Sequence, residues 1–157
     1  MEIIQRNNQD FAILDSRGEI PKKLLPSEYD LQVSLMQYMA LQYPKILVRC
    51  DLGGLRLPIG LAKKAKRLNP YTRGWPDILV AEPMKHGPRF YHGLFLELKR
   101  CRKDLFTKNG KYRKTKHIEE QRAILQVLRQ KGYFAAIPCG FDEAKQVISD
   151  YLDRRIK

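Results

Sequence analysis

The sequence predicts one α/β domain in which helices cover a mixed central β-sheet. Apolar residues at helical spacing alternate with short, mostly apolar runs typical of strands, in the order helix, strand, strand, strand, helix, strand, helix. The chain has 157 residues and a mass of 18.4 kDa, which suffices for one domain with a hydrophobic core. Its hydrophobic content of 43% argues against disorder of the whole chain.

The first helix is predicted to begin after Ser27, which is a suitable N-cap because Asp30 follows three residues later. Apolar side chains then recur at helical spacing, at Leu31, Leu35, Tyr38 and Met39. We expect the helix to end at Tyr43-Pro44, after about four turns.

The residues before this helix are predicted to be an extension of the domain. They mix polar and apolar residues and contain Pro21 and Pro26, and Ser16-Arg17-Gly18 indicates the turn of a short hairpin. We therefore place an N-terminal extension at residues 1–26 and the domain itself at residues 27–157.

Four short strands are predicted. The first, residues 46–50, has the composition of a buried strand. The second and third, residues 77–81 and 91–99, are connected through a turn at His86-Gly87-Pro88, which favours a hairpin. The fourth covers residues 133–138.

Two helices alternate with the last strand. Ile118, Leu125 and Leu128 share one stripe of the first of them, and Gly132 supplies its stop. The final helix is predicted over residues 142–155, with four side chains directed inward: Ala144, Val147, Ile148 and Tyr151.

The chain carries a large positive charge. It has 30 Lys and Arg residues against 17 Asp and Glu, a net charge of +13 and a pI near 9.8. Such a surplus costs self-repulsion unless it meets an anionic partner, and nucleic acid is the partner it favours. The alternative is that the charge only solvates the surface.

Two basic groups are candidates for contact with nucleic-acid phosphates. The first surrounds a short helix predicted over residues 61–68 and comprises Lys63, Lys64, Lys66, Arg67 and Arg73. The second follows residue 99 and comprises Arg100, Arg102, Lys103, Lys111, Arg113 and Lys114. Such contacts give affinity without sequence specificity and a steep dependence on salt.

Neither a membrane span nor a disulfide framework is expected. No stretch approaches the roughly 18 apolar residues of a span, and the N-terminus lacks the build of a secretory signal. Cys50, Cys101 and Cys139 are odd in number and far apart, which favours reduced thiols over disulfides or zinc ligands. We therefore expect a soluble, cytoplasmic protein.

The most informative feature pairs an aspartate at the start of one predicted strand with a charged motif at the end of the next. Asp77 opens the second strand, and Glu97-Leu98-Lys99 closes the third. Because side chains alternate along a strand, Glu97 and Lys99 should project from one face while Leu98 points into apolar packing. Pairing of the two strands would bring Asp77 alongside Glu97.

Two adjacent carboxylates repel each other unless a cation lies between them. A hard divalent ion, Mg²⁺ or Mn²⁺, would supply that charge, with Asp77 and Glu97 as carboxylate ligands and the backbone carbonyl of Leu98 as a further ligand. Such an ion acidifies a water and neutralises charge on a phosphate, and Lys99 would hold or deprotonate that water. The arrangement predicts hydrolysis of a phosphodiester bond.

These residues resemble the signature of the PD-(D/E)xK nucleases. Pro76-Asp77 and Glu97-Leu98-Lys99 match its two parts, and the surroundings resemble the VRR-NUC branch of that superfamily. The supporting features are, in order, Gly74-Trp75-Pro76-Asp77 after a basic loop, Gln121 on the next helix, Gly132 before a strand and Asp142-Glu143-Ala144 at the last helix. The resemblance covers roughly residues 27–152.

The resemblance implies a restriction-endonuclease-like α/β core and metal-dependent cleavage of DNA. It gives catalytic roles to Asp77, Glu97 and Lys99, and it adds Glu28 to the metal site and Gln121 to the catalytic residues. Stand-alone small members of the family, many of them encoded by phages, are associated with dimeric cleavage of four-way junctions. A homodimer that cuts branched DNA is therefore expected.

Less specific roles stay open for each residue. Asp77 could be only a turn or strand-edge residue, and Glu97 with Lys99 an exposed cross-strand charge pair. Glu28 lies in the first turn of a helix, where the macrodipole favours any acid. Gln121 lies in the middle of an apolar stripe, where its amide could orient a catalytic water or Lys99, or form a structural hydrogen bond to backbone.

Two other functions stay open as well. One is a non-catalytic, basic DNA-binding subunit with the same fold, and the other is an RNA-directed nuclease of the same superfamily. The complete set of Asp77, Glu97 and Lys99 favours an enzyme over a binding subunit, because a protein that only binds DNA has no use for paired carboxylates beside phosphate.

Overall fold

A four-stranded mixed sheet lies at the centre of the molecule. The computed structural model describes residues 3–6, 10–13, 21–51, 57–68 and 74–153. The strands are β1 (Ile3–Arg6), β2 (Asp10–Ile13), β3 (Val48–Cys50), β4 (Ile78–Val80), β5 (Met84–His86), β6 (Arg89–Tyr91), β7 (Leu94–Leu96) and β8 (Phe134–Ala136). The helices are α1 (Glu28–Gln42), α2 (Ile59–Leu68), α3 (Arg102–Leu105), α4 (Lys116–Gln130) and α5 (Phe141–Leu152), preceded by a 3₁₀ turn at Lys22–Leu24.

The central sheet has the strand order β3-β4-β7-β8. Strand β4 pairs antiparallel with both β3 and β7, whereas β7 and β8 run parallel. A parallel pair needs a crossover connection, and α4 lies in that connection. The predicted α/β class with a mixed sheet between helices is confirmed.

Helix α1 starts where the sequence predicts. The Asp30 N–H donates to the Ser27 hydroxyl at 3.1 Å, and the Ser27 N–H donates to the Asp30 carboxylate at 3.0 Å, which completes a capping box. The helix buries Leu31, Leu35 and Met39, and it packs against α5 and β3.

Two apolar clusters lie on opposite faces of the sheet. On one face, alternate strand residues pack with α1 and α5: Ile78, Val80, Leu94 and Leu96. On the other face, Leu125 and Leu128 of α4 pack on Phe95. Because side chains alternate along a strand, residue 97 should lie on the same side as Phe95 and α4.

The connections differ from the prediction in two places. The strand predicted over residues 46–50 is a partly exposed edge strand of three residues, not a buried one, because among the strands that the structure describes it pairs with β4 alone. Between β4 and β7 the chain forms a separate hairpin of β5 with β6. The two strands predicted over residues 77–81 and 91–99 therefore do pair antiparallel, but they are not joined directly as the predicted hairpin.

In the N-terminal segment, β1 and β2 pair antiparallel, with Ile3 opposite Ile13. The turn predicted at residues 16–18 lies outside the described residues. Within the described part of the chain, no helix has both the length and the apolar character needed to cross a membrane.

Candidate active site

The antiparallel pairing of β4 and β7 sets the position of the two candidate acids. Ile78 lies opposite Leu96, so one further step in this register places Asp77 opposite Glu97. The backbone N–H of Leu98 donates to Asp77 Oδ2 at 2.6 Å and ties the start of β4 to the end of β7. The structure thereby brings the two segments together at one edge of the sheet.

Glu97 and Lys99 project from the same face of the chain and contact each other. Lys99 Nζ donates to Glu97 Oε1 at 2.6 Å and to the Leu98 carbonyl oxygen at 3.2 Å. Only 3% of Glu97 and 5% of Lys99 is exposed, while the Leu98 side chain packs in the opposite cluster. This pair is therefore not an exposed cross-strand charge pair, and removing both charges from water is costly.

Gln121 links α4 to this ion pair. Its Nε2 donates to Glu97 Oε1 and, at 2.9 Å, to Nε2 of His117, one turn earlier. The side chain is 4% exposed, and its Oε1 has no hydrogen-bond partner within the described residues. Because an unsatisfied buried carbonyl oxygen is costly, this atom is available to a water or another donor at the site.

Burial raises the pKa of both carboxyl groups. The pKa of Glu97 is raised to about 8, first by burial and then by the charge of Asp77, while Lys99 acts in the opposite direction. Burial also raises the pKa of Asp77, and the Leu98 N–H and Lys99 oppose that rise. The ammonium of Lys99 alone does not compensate for both carboxylates, so a second positive charge would favour their ionised forms.

The first turns of α1 supply an expected and an unexpected neighbour of Asp77. Glu28 is exposed at the first residue of the helix, rather than on its buried stripe, and its charge contributes to the raised pKa of Asp77 and Glu97. Gln32, one turn further on, donates from Nε2 to Asp77 Oδ1 at 3.0 Å. Sequence reasoning missed Gln32, although its helical spacing from Glu28 placed the two on one face.

The candidate metal ligands at this edge of the sheet are oxygen atoms. Across the ranges that the structure describes, no group of three or more His, Cys, Asp and Glu side chains is positioned to hold a metal ion. Two carboxylates, Asp77 and Glu97, are nevertheless found at this edge. The Leu98 carbonyl oxygen and the unpartnered Gln121 Oε1 belong to the same hydrogen-bonded group of residues. Mg²⁺ typically takes one or two protein carboxylates and completes its shell with water and substrate phosphate, so the donor set fits Mg²⁺ or Mn²⁺.

The architecture has a counterpart among solved structures. The chain is similar to a solved structure of a VRR_NUC domain protein, with a TM-score of 0.55 and 22% identity, over 82% of this chain and 89% of that one. The chain has the VRR-NUC fold. No family model and no curated protein matches the sequence.

On this VRR-NUC fold, the first basic group lies on α2. The helix buries none of its residues, and four side chains of the group are exposed on it: Lys63, Lys64, Lys66 and Arg67. Arg73 lies outside the described residues. A helix that adds nothing to the core leaves its basic side chains accessible to a partner.

The second basic group surrounds the loop between α3 and α4. Lys103, Lys111 and Lys114 are exposed there. Arg113 is also exposed, and its Nε donates to the Lys103 carbonyl oxygen at 2.7 Å. Arg102 forms an ion pair with Glu143 at 2.7 Å, with 70% of its side chain exposed.

Arg100 is placed differently from the other members of this group. It is half-buried, and its Nε donates to the Pro26 carbonyl oxygen at 2.9 Å. Its Nη2 donates to the carbonyl oxygens of Lys22 and Leu25 at 2.8 and 3.0 Å. Arg100 therefore anchors the segment before α1, and we leave it out of the candidate DNA-contacting surface.

Proposed function

We propose that this chain is a metal-dependent DNA endonuclease that hydrolyses phosphodiester bonds. The observation that carries the proposal is the position of Asp77 and Glu97 beside the buried amine of Lys99 at one edge of the sheet. Fold stability does not require such a cluster, because burying charges costs free energy and shifted pKa values are concentrated at functional sites. The similarity in fold to a VRR_NUC domain protein agrees with this function.

In this proposal Asp77, Glu97 and the Leu98 carbonyl oxygen would hold Mg²⁺ or Mn²⁺, with Glu28 as a further carboxylate at the exposed side. When bound, the ion supplies an acidified water and neutralises charge on the phosphate. The remaining chemistry belongs to the residues of the chain.

Lys99 and Gln121 have separate tasks in this mechanism. The Lys99 ammonium, oriented by Glu97 and the Leu98 carbonyl, holds the attacking water or stabilises charge on the phosphate. Gln121 keeps Glu97 in place through its Nε2, and its unpartnered Oε1 can accept a hydrogen bond from the same water. Gln32 orients Asp77 in the same way from α1.

We further propose that the substrate is branched DNA, such as a four-way junction, and that the chain acts as a homodimer. A junction has paired strands to cut, which call for two active sites related by symmetry. Residues 27–157 would carry the nuclease, with residues 1–26 as an extension. The exposed basic side chains would contact backbone phosphates: Lys63, Lys64, Lys66 and Arg67 on α2, and Arg102, Lys103, Lys111, Arg113 and Lys114 after β7.

A non-catalytic DNA-binding subunit is the second candidate. It is favoured by the ion pair of Lys99 with Glu97, which already neutralises one carboxylate. The two candidates make opposite predictions about DNA cleavage.

The test is a cleavage assay with the purified chain. A four-way junction, a flap and a linear duplex of matched sequence are incubated with EDTA, Mg²⁺ or Mn²⁺, and the cut positions are mapped, with RNA versions run in parallel. The endonuclease should cut DNA only with metal, and the exposed control Asp142→Asn should behave as wild type while Asp77→Asn does not cut. Binding of all DNA substrates without any cleavage would support the non-catalytic subunit.

A further inference from the structure

We infer that the indole ring of Trp75 is a stacking platform for an unpaired DNA base beside the candidate cleavage site. The inference rests on the proposed function, because it takes DNA as the substrate, and it narrows that function to DNA with unpaired nucleotides next to the cut. Trp75 is the single tryptophan of the chain.

The backbone is fixed on both sides of Trp75. Gly74 has a φ of +75°, and a Cβ at this position would lie 2.7 Å from the carbonyl carbon of Glu120 in α4. Pro76 is fully buried, and its ring also restricts the backbone of the residue before it. The backbone that carries the indole is therefore held by α4 on one side and by the start of β4 on the other.

The indole is left open although both of its neighbours in the chain are buried. The residue is 43% exposed, and its ring meets the ring of Phe95 edge to face, with centroids 5.7 Å apart and planes at 83°. Phe95 is 4% exposed and lies two residues before Glu97. Trp75 is thus supported from beneath by the strand that leads to the candidate site, while a large part of its surface faces solvent.

Trp75 lies close to the candidate site along the chain and beside the helix that carries Gln121. Asp77 is two residues away, which limits the distance between the two Cα atoms to about 7 Å. A Cβ on Gly74 would lie 2.9 Å from the backbone nitrogen of Gln121, so the segment before the ring touches the helix that carries this amide. A phosphate held beside the Lys99 ammonium would place the adjoining nucleotide within reach of the indole.

The base that stacks on Trp75 must be unpaired. In a B-form duplex the faces of the bases are covered by their neighbours, and only base edges reach the grooves. Proteins that hold unpaired strands combine an aromatic ring for the base with positive charge for the backbone. This chain supplies the ring at Trp75 and the charge on α2 and in its net excess of +13.

The first experiment measures the intrinsic tryptophan fluorescence of the full chain in EDTA. Because the chain has one tryptophan, emission excited at the red edge of the absorption band reports on Trp75 alone. Titration with a single-stranded oligonucleotide should quench this emission, and the same sequence as a blunt duplex should bind without comparable quenching. Equal quenching by both DNAs, or none while anisotropy reports binding of the single strand, would overturn the inference.

The second experiment compares the DNA affinities of variants in EDTA. Because Trp75→Ala loses one base stack, its affinity for the single strand should be about 5- to 150-fold lower than that of the wild type. Trp75→Phe should retain part of the affinity. Affinity for the blunt duplex and the salt dependence of both complexes should not change, because phosphate contacts are intact. If Trp75 served only the fold, Trp75→Ala would lower the affinities for the single strand and the duplex together, or would change neither.

Phe90→Ala is the matched control. Phe90 is 56% exposed, and it lies on the separate hairpin of β5 and β6. Its removal should leave the affinity for the single strand unchanged. An equal loss with Phe90→Ala, or full single-strand affinity in Trp75→Ala, would overturn the inference.

The outcomes distinguish this inference from the proposed function. Metal-dependent cleavage without selective quenching by the single strand would overturn only the role of Trp75. Selective quenching without cleavage in Mg²⁺ or Mn²⁺ would overturn the endonuclease and retain the stacking platform. A chain that binds no DNA at all would overturn both.

Discussion

The candidate active site and helix α2 are built in opposite ways. At the active site, Glu97, Lys99 and Gln121 are each at most 5% exposed, and each is held by a hydrogen bond or ion pair to a neighbour. Helix α2 buries none of its residues and presents its lysines and arginine to solvent. The sheet and its hydrogen bonds hold the side chains of the candidate active site in defined positions. Packing constrains the side chains of α2 far less.

This contrast indicates a division between chemistry and affinity. Side chains that act on a reacting phosphate must be positioned by rigid elements. Side chains that attract a polyanion need only be accessible and positively charged. Substitutions in the two regions should therefore change different measured quantities.

The largest effect is expected for Asp77→Asn. The variant keeps the shape of the side chain but removes a proposed ligand charge, so cleavage in Mg²⁺ should fall by at least about 10³-fold. DNA affinity in EDTA should not fall, because the carboxylate repels phosphate rather than binding it. A loss of affinity that matches the loss of cleavage would contradict the proposed separation of catalytic residues from DNA-binding residues.

A smaller loss of cleavage is expected for Lys99→Met. The variant keeps the apolar stem and removes the ammonium, which should slow cleavage about 10²-fold to 10³-fold at saturating DNA. Mn²⁺ should still raise the thermal unfolding temperature, because both carboxylates remain. If this rise disappears while the variant is folded by circular dichroism, Lys99 contributes to metal binding and not to the chemical step.

Neutralising α2 should affect affinity alone. The quadruple variant Lys63→Gln, Lys64→Gln, Lys66→Gln and Arg67→Gln should make the negative slope of log Kobs against log salt shallower by up to about four. Cleavage at saturating DNA should be unchanged. A control variant removes the same number of exposed charges elsewhere: Lys23→Gln, Lys45→Gln, Lys85→Gln and Lys131→Gln. Equal slopes for the two variants would mean that net charge, and not α2, attracts the DNA.

Substitutions of two glycines, one beside the candidate active site and one in α2, test whether the two regions contribute differently to the free energy of unfolding. Gly74→Ala places a Cβ against the backbone of α4 at a φ of +75°, so the free energy of unfolding should fall by about 1–3 kcal/mol. At Gly60 in α2 a Cβ meets nothing within 4 Å, and global unfolding should be nearly unchanged. Chemical denaturation of both variants measures the difference, and similar destabilisation of the two would contradict it.

Part of the site could be predicted from the sequence because it depends on local rules. Strand alternation placed Glu97 and Lys99 on one face. The pairing of their strand with the one that Asp77 opens was also predicted, although the expected direct hairpin is replaced by a connection that contains β5 and β6. Helical spacing likewise placed Gln121 on the buried stripe of α4. The capping box of Ser27 with Asp30 is local in the same sense.

Other features depend on contacts that a sequence does not display. The hairpin of β5 and β6 consists of three-residue strands, too short for alternation to be evident. The bond from Gln32 to Asp77 joins residues that are 45 positions apart. The exposure of Trp75 depends on how Gly74 meets α4, and Arg100 is engaged by carbonyl oxygens of a distant segment.

The central claim is that Asp77 and Glu97 share one divalent ion, and calorimetric titration of the DNA-free chain with Mn²⁺ tests it most directly. We expect saturable binding to the wild type and to the exposed control Asp142→Asn, and no binding at that site in Asp77→Asn or in Glu97→Gln. Undiminished Mn²⁺ binding by Asp77→Asn and Glu97→Gln, with both variants folded, would contradict the claim.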